Sequence, residues 1–369
     1  MNILHVITTL DVGGAEMHLK SQVQGQSAAG HQVRVAYLKG AGSLTDDFLA
    51  AGAESVHPVS PTAPWKLWKH LRWAHIVHSH LLKADVFTAL LATAAGRRPH
   101  LLSGKHNDEQ VLTRSAVSRV HGVVGRLPKV TVVLSDHVGR FIEEHGRVPR
   151  ARQERIYYGI DPSRFEAAAA DTEARSSSRA EFGWGSDEVV AICVARFAAQ
   201  KAHDVLLKAF AKASETAPQL RLLLVGDDPF GDGRQRAEAL AEELQLGDRV
   251  HFAGIRRDVP ALLAASDLFV MASLWEGLGL VFLEAMAAGL PVLSTHVSAI
   301  PEVVVDGETG VLVPPGEVAP MAEALVSLAG DPERRAALAA AGGARVRERF
   351  GLERMWAETL ELYERVRRR

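Results

Sequence analysis

The sequence predicts an α/β protein built of two Rossmann-like domains that face each other across a cleft. Three observations carry this. The chain has 369 residues, 47% of them hydrophobic, which is enough for two cores of ordinary size. Through the first half, short apolar runs of strand length alternate with helical patterns, the rhythm of a doubly wound parallel sheet. That rhythm breaks off in a Gly- and Pro-containing stretch near 158–166 and then starts again.

In the first half, residues 3–8, 32–38, 75–80, 100–104, 130–134 and 155–158 read as strands, and 14–29, 81–95 and 136–144 as helices. Val12-Gly13-Gly14-Ala15-Glu16 follows the first strand and opens the first helix. Backbone there can approach a ligand, and the helix end favours an anion. The stretch lacks the full Gly-x-Gly-x-x-Gly dinucleotide pattern, and a plain tight turn satisfies the same residues. His78-Ser79-His80 and Lys105-His106-Asn107-Asp108 fall at strand ends, where open α/β sheets bind ligands. His106 stands out, because its Lys and Asn-Asp neighbours mark a polar loop rather than a core.

The hinge is expected at 158–166, followed by an Ala/Ser-rich polar stretch to residue 179 without a strong apolar period. This divides the chain into residues 1–165, residues 166–345, and a terminal helix over 346–369 that packs back towards the first domain. Strands are expected again at 189–195, 221–225, 250–252, 268–271 and 292–294. After the first of them come Arg196 and Lys201, two cations five residues apart with a helix behind them. That pairing suits two phosphates, Arg as a fork and Lys as a point charge. The third strand of this series ends in Gly254-Ile255-Arg256-Arg257-Asp258, and the chain closes on a helix running into Arg365-Val366-Arg367-Arg368-Arg369.

The most informative stretch is Glu276-Gly277-Leu278-Gly279-Leu280-Val281-Phe282-Leu283-Glu284, between the strand over 268–271 and a helix. Gly277 and Gly279 let backbone come close to a ligand, and the helix presents its N–H groups there. Glu276 lies in the loop, where it can meet a ligand. Glu284 lies about a turn and a half inside the helix, where burial costs free energy unless something hydrogen-bonds it; a ribose hydroxyl would do so. Two cations, helix-end amides and two carboxylates together suit a nucleoside diphosphate carrying a polar group.

Composition narrows the class. A single Cys, Cys193, excludes a disulfide framework and a Cys-rich metal site. The start of the chain shows neither a basic leader nor a cleavage site, and no apolar stretch is long enough to span a bilayer, so a soluble cytoplasmic protein is expected. The net charge of −2 conceals an asymmetry: residues 1–165 carry 20 Lys+Arg against 13 Asp+Glu, and residues 166–369 carry 22 against 31. The first half would attract an anionic partner and is compatible with peripheral contact at the inner membrane face.

The stretch from Glu276 to Glu284 resembles the Glu-x7-Glu signature of the retaining glycosyltransferases of the GT-B fold, family 4, also described as glycosyl transferases group 1. Gly13-Gly14-Ala15-Glu16, Arg196 with Lys201, the Gly-Ile-Asp-x-x-x-Phe at 159–165 and the motif that runs from Pro301-Glu302-Val303-Val304 through Asp306-Gly307 and Thr309-Gly310 to Pro314-Pro315 fall in that family's order and spacing. The resemblance covers essentially the whole chain and is specific for the family, not for a substrate.

It implies a metal-independent hexosyltransferase that moves a sugar from a nucleoside-diphosphate sugar, UDP-sugar favoured and GDP-mannose next, to a hydroxyl acceptor. By matching position, Arg196 and Lys201 would hold the diphosphate, Leu280 and Val281 would offer amides to phosphate, and Glu284 would hold the ribose. Ile255 and Arg256 would border the base, Glu276 would hold the transferred sugar within the Gly277-Leu278-Gly279 loop, His106 would stand near donor sugar and acceptor, and Gly13-Gly14 would close on the donor. No cofactor, metal or nucleic acid is implied; the acceptor would be a sugar, a lipid-linked group or a small molecule, as in cell-surface polysaccharide or glycolipid assembly. A non-hydrolysing nucleotide-sugar epimerase shares the fold and is the alternative. The chain departs from the family's pattern at Ala202, where Gly is usual, at Tyr158, where Asn is usual, at Ala299-Ile300, and at Asp228-Pro229-Phe230.

Overall fold

The computed structural model describes residues 1–11, 13–96, 100–228 and 231–368; Val12, Pro229, Phe230 and Arg369, named above, lie outside the described residues. The chain forms two compact units, Met1–Gly159 with Leu352–Arg369, and Ile160–Gly351. The division falls at Gly159 rather than after Phe165, because Ile160 bridges to Gly351 and donates to the Phe350 carbonyl at 2.9 Å, while Phe165 is buried in the second unit. The return falls after Gly351 rather than Arg345, since the helix before it runs unbroken through Arg349.

The first unit alternates β1 (Asn2–Ile7), α1 (Gly14–Ala28), β2 (Gln32–Tyr37), α2 (Thr45–Ala50), β3 (Ser55–Pro58), α3 (Trp65–Trp73), β4 (Ile76–His80), α4 (Leu82–Ala94), β5 (Leu101–Lys105), α5 (Ser115–Val124), β6 (Val130–Val133), α6 (Asp136–Glu144) and β7 (Gln153–Arg155). Its seven strands are parallel in the order β3-β2-β1-β4-β5-β6-β7. The last strand pairs over Gln153–Arg155, not over 155–158 as the sequence suggested, and β3 adds an edge strand that the sequence did not announce.

The second unit runs α7 (Ser163–Ala170), α8 (Thr172–Glu181), β8 (Val189–Val194), α9 (His203–Thr216), β9 (Leu220–Val225), α10 (Gly233–Glu243), β10 (Val250–Gly254), α11 (Val259–Ala265), β11 (Leu268–Val270), α12 (Leu280–Ala287), β12 (Val292–Thr295), α13 (Ile300–Val303), β13 (Gly310–Val313), α14 (Val318–Gly330) and α15 (Pro332–Arg349); α16 (Leu352–Arg367) belongs to the first unit. Its six parallel strands follow the order β10-β9-β8-β11-β12-β13.

Both sheets therefore reverse their order between the first strand and the fourth, β1/β4 and β8/β11, and loops leaving those carboxyl ends are where ligands bind in such sheets. The central strands are buried apolar runs, as helices on both faces require; β8 is Val-Val-Ala-Ile-Cys-Val, with Cys193 as core filler. In the first unit Met355, Leu362, Tyr363 and Val366 of α16 join Ile3, Ile7, Leu19 and Val23 in one core. That contact is close because residue 25 of α1 is glycine: a Cβ there would stand 2.3 Å from the Trp356 ring.

Candidate active site

The candidate residues fall into two groups, one in each unit. In the second unit the loop after β8 carries Arg196 and Lys201, and the loop after β11 carries Glu276, so the two loops flank the reversal of strand order. They are bolted together. The Leu274 amide donates to the Gln200 carbonyl at 2.8 Å, and the Gln200 side-chain amide donates to the Trp275 carbonyl at 2.6 Å. Lys201 Nζ donates to Glu276 Oε1, which also accepts from the Ser273 hydroxyl at 2.9 Å. The Lys201 and Glu276 side chains are only 12% and 7% exposed, so each is the other's main charge compensation. Glu276 is thus a buried, doubly hydrogen-bonded carboxylate rather than an open loop acid. Gln200 and Ser273 went unnoticed in the sequence because nothing local marks them; their partners come from the other loop.

Gly279 caps α12 with φ 80° and ψ 79°, a left-handed conformation in which a Cβ would also run into the Phe282 ring at 2.6 Å. It turns the chain so that Leu280 and Val281 open the helix, where first-turn N–H groups have no intrahelical acceptor. Leu278 and Gly277 are buried beneath this turn. Ala202 holds the equivalent turn before α9 with φ 46° and ψ 51°, so the glycine-like backbone that its identity put in doubt is kept.

Glu284 is half-buried in α12, and its partner is Arg164 of α7, with Nη2 3.3 Å from Oε1. Burial pushes the Glu284 carboxyl up, opposed by the Arg164 charge and hydrogen bond. Arg164 is a further residue that went unnoticed in the sequence; it lies in the Gly-Ile-Asp motif but carried no signal of its own. Ile255 projects into solvent, 72% exposed. The Arg256 guanidinium is committed to Glu181 at 2.5 Å and Asp258 at 2.6 Å, which raise it above its ordinary value; only the remainder of residue 256 is open to a base. Arg196 is exposed two residues beyond β8.

In the first unit Gly13 is the N-cap of α1 and Gly14 its first residue; Glu16 behind them accepts from the Thr9 hydroxyl at 2.7 Å. His106 follows β5 directly and is half-buried. Its Nε2 lies 2.9 Å from His80 Nδ1 and its Nδ1 is bonded to the Tyr158 hydroxyl; His18 of α1 stacks on Tyr158 with centroids 3.8 Å apart. Burial lowers the His106 ring to about 4, so it is neutral at neutral pH. Of the neighbours that seemed to mark a polar loop, Asn107 is exposed, but Lys105 and Asp108 are buried. Lys105 is 1% exposed, 2.5 Å from the Asp85 carboxylate, and Asp108 pairs with His137 at 2.7 Å. Each is buried because a hydrogen-bonding partner arrives from a different element.

Among the described residues, one group has the spacing to hold a metal ion: His5, His78 and His80 bring one ring nitrogen each within 4.8 Å of one another. His5 and His80 already bond to each other at 2.9 Å, so a metal would have to replace that bond.

Residues 12–164 match the family model described as Glycosyltransferase Family 4, and residues 174–345 the model described as Glycosyl transferases group 1. A GDP-mannose-dependent alpha-(1-6)-phosphatidylinositol monomannoside mannosyltransferase of Mycolicibacterium smegmatis is 31% identical over 352 residues, covering 89% of each chain. A D-inositol 3-phosphate glycosyltransferase of Rhodococcus opacus is 38% identical over 56% of this chain and 49% of its own. Among solved structures, Anabaena HepE in complex with UDP superimposes with a TM-score of 0.88 at 24% identity, covering 99% of this chain and 100% of that one. At that identity the likeness speaks for the fold.

Proposed function

The chain belongs to the glycosyl transferases of group 1, family 4, and from that premise we propose that it transfers a hexosyl group from a nucleoside diphosphate sugar to an acceptor hydroxyl with retention at the anomeric carbon and without an essential divalent ion. The observation that carries the reading is the bolted pair of loops in the second unit, with Lys201, Glu276 and the opening of α12 at one strand-order reversal. On this reading Arg196 and Lys201 take the diphosphate, the Leu280 and Val281 amides add to them, and Glu284 takes the ribose hydroxyls beside Arg164. Breaking the bond from the anomeric carbon to the diphosphate oxygen leaves negative charge on the phosphate and positive charge on the sugar. Fixed cations and helix amides stabilise the first, and the Glu276 carboxylate faces the second.

Retention through a glycosyl-enzyme would require a carboxylate to attack the anomeric carbon. Glu276 is poorly suited, because its ion pair with Lys201 and the hydrogen bond from Ser273 draw charge from the whole carboxylate and weaken it as a nucleophile. Departure and attack therefore occur on one face: the acceptor oxygen bonds to the anomeric carbon as the phosphate oxygen leaves, and the departing phosphate accepts the acceptor's proton. The relative that matches along most of its length is GDP-mannose-dependent by name, which makes GDP-mannose the first donor to try and UDP-sugars the second. Its phosphatidylinositol mannoside acceptor and the basic first half of this chain favour an acceptor bearing phosphate, lipid-linked or not.

The test is nucleoside diphosphate release by the purified chain, with GDP-mannose or a UDP-sugar, in chelator, with and without a phosphoinositol-containing acceptor. Acceptor-dependent release in chelator, giving an α-linked product from an α-linked donor, supports the reading. Conversion of the donor without acceptor would point to an epimerase, and strict dependence on added metal would overturn the metal-independent mechanism.

A further inference from the structure

The buried side chains behind His106 form a hydrogen-bonded chain whose direction is forced from its far end. In α16 the Thr359 hydroxyl lies 2.8 Å from the Met355 carbonyl oxygen, which can only accept, so Thr359 donates there. The Thr359 oxygen then accepts from the Gln22 amide nitrogen at 3.0 Å, which turns the Gln22 carbonyl towards the Gln26 amide nitrogen at 3.5 Å. That last contact is at the long limit for a hydrogen bond, and the orientation it gives Gln26 agrees with the short contact of its carbonyl oxygen to His5. The Gln26 carbonyl oxygen therefore faces His5 Nε2 at 2.8 Å, and that nitrogen carries the proton.

Burial keeps these imidazoles neutral, so each has one donor nitrogen and one acceptor. The rest follows by alternation. His5 Nδ1 accepts from His80 Nε2 at 2.9 Å, His80 Nδ1 accepts from His106 Nε2 at 2.9 Å, and His106 Nδ1 accepts from the Tyr158 hydroxyl. On a branch, the Tyr363 hydroxyl lies 2.6 Å from His78 Nδ1. The proton positions are those that the network of acceptors dictates.

We propose that this chain, anchored at Thr359, fixes His106 in the Nε2–H form with Nδ1 capped by Tyr158, and that Gln22, Gln26, His5, His80, Tyr158 and Thr359 are positioning residues for the transfer reaction. The proposal rests on the reading of His106 as part of the active site. It excludes His106 as general base or acid, since both nitrogens are spent. It also excludes a proton wire, because the line ends in a Gln26 carbonyl that has no proton to pass on. What the chain delivers is a neutral ring of fixed orientation, with its centroid 5.7 Å from that of His18 on α1. Tyr158, which supplies the cap, is one of the positions at which this sequence departs from the family's usual residue, so the arrangement belongs to this chain.

The test uses the full-length protein labelled with 15N-histidine and a long-range 1H–15N correlation spectrum at neutral pH. His5, His80 and His106 are expected to share one pattern, protonated at Nε2 and bare at Nδ1. Finding His106 protonated at Nδ1, or at both nitrogens, would overturn the chain. Thr359→Val, nearly isosteric, removes the anchor and should give His106 a mixture of both neutral forms; an unchanged pattern would also overturn it. His80→Gln keeps an acceptor towards His106 and a donor towards His5, whereas His80→Leu keeps neither. The Leu variant should lose about tenfold or more in kcat with nucleotide affinity unchanged, and the Gln variant should recover most of it. Equal rates in the two variants would overturn the positioning role. Full activity in His106→Ala would instead remove the active-site reading, and the tautomer pattern is read independently of that result.

Discussion

At the residue scale, Ala202 shows how a departure from a family pattern resolves. Its φ of 46° places an L-residue in the left-handed region, where glycine is at home and a Cβ costs about 1 kcal/mol or more. Ala202→Gly is expected to stabilise the second unit by up to about 1 kcal/mol, read as a raised urea midpoint at unchanged m; a lowered midpoint would mean that the turn carries no strain. The same scale shows where the sequence was opaque. Lys201 and Glu276 were legible as ligand-facing charges, yet their mutual ion pair was not, because it joins loops that meet only when β8 and β11 become neighbours. Lys105 misled for the same reason: its counter-ion, Asp85, sits on α4 and not beside it in sequence.

At the element scale, long periodic segments were legible and short ones were not. β3 has four residues and β7 three, too few for a period of two to declare itself, and β13, also four residues, lies inside a motif read only for its likeness to the family. The Ala/Ser-rich stretch after the hinge reads as polar coil yet forms α7 and α8. In α8 the one buried residue is Arg179, held by the Asp267 carboxylate and by the Ala265, Gly185 and Glu188 carbonyls. A helix docked by a guanidinium leaves no apolar stripe to detect. The return of α16 depends on one glycine. Gly25→Ala should force Trp356 aside at about 1–3 kcal/mol, loosening α16 first; hydrogen exchange should rise in α16 before β1, and equal protection of both would refute this.

At the scale of the whole molecule, the two-unit α/β plan and the family were readable from motif order, since a strand-order reversal is encoded by where glycine loops follow strands. The charge asymmetry has a companion in titration. His5, His106 and His121 of the first unit lie at about 4 because they are buried, and His18, His78 and His80 are also well below the ordinary value or lowered by the same cause. Between pH 6.5 and about 4 the unfolded chain binds protons that the folded one refuses, so stability is full above the unfolded value and falls as pH drops through that window. In the second unit, burial lowers His203 to about 4 in the same way. Denaturant melts from pH 7.5 to about 5 should therefore lower the first unit's midpoint more than the second's; parallel shifts would show that these rings do not report folding.

The central claim is that a nucleoside diphosphate sugar binds through Lys201 and Arg196 in the second unit. Isothermal titration of GDP, GDP-mannose, UDP and a UDP-sugar into the full chain in chelator, beside Lys201→Ala and Arg196→Ala, tests it most directly. Binding by the parent chain, weakened in both variants by about 1.5–3 kcal/mol through loss of a charge-assisted contact to phosphate, is the expected result. Binding that is indifferent to both substitutions, or no binding of any nucleotide, would contradict the account.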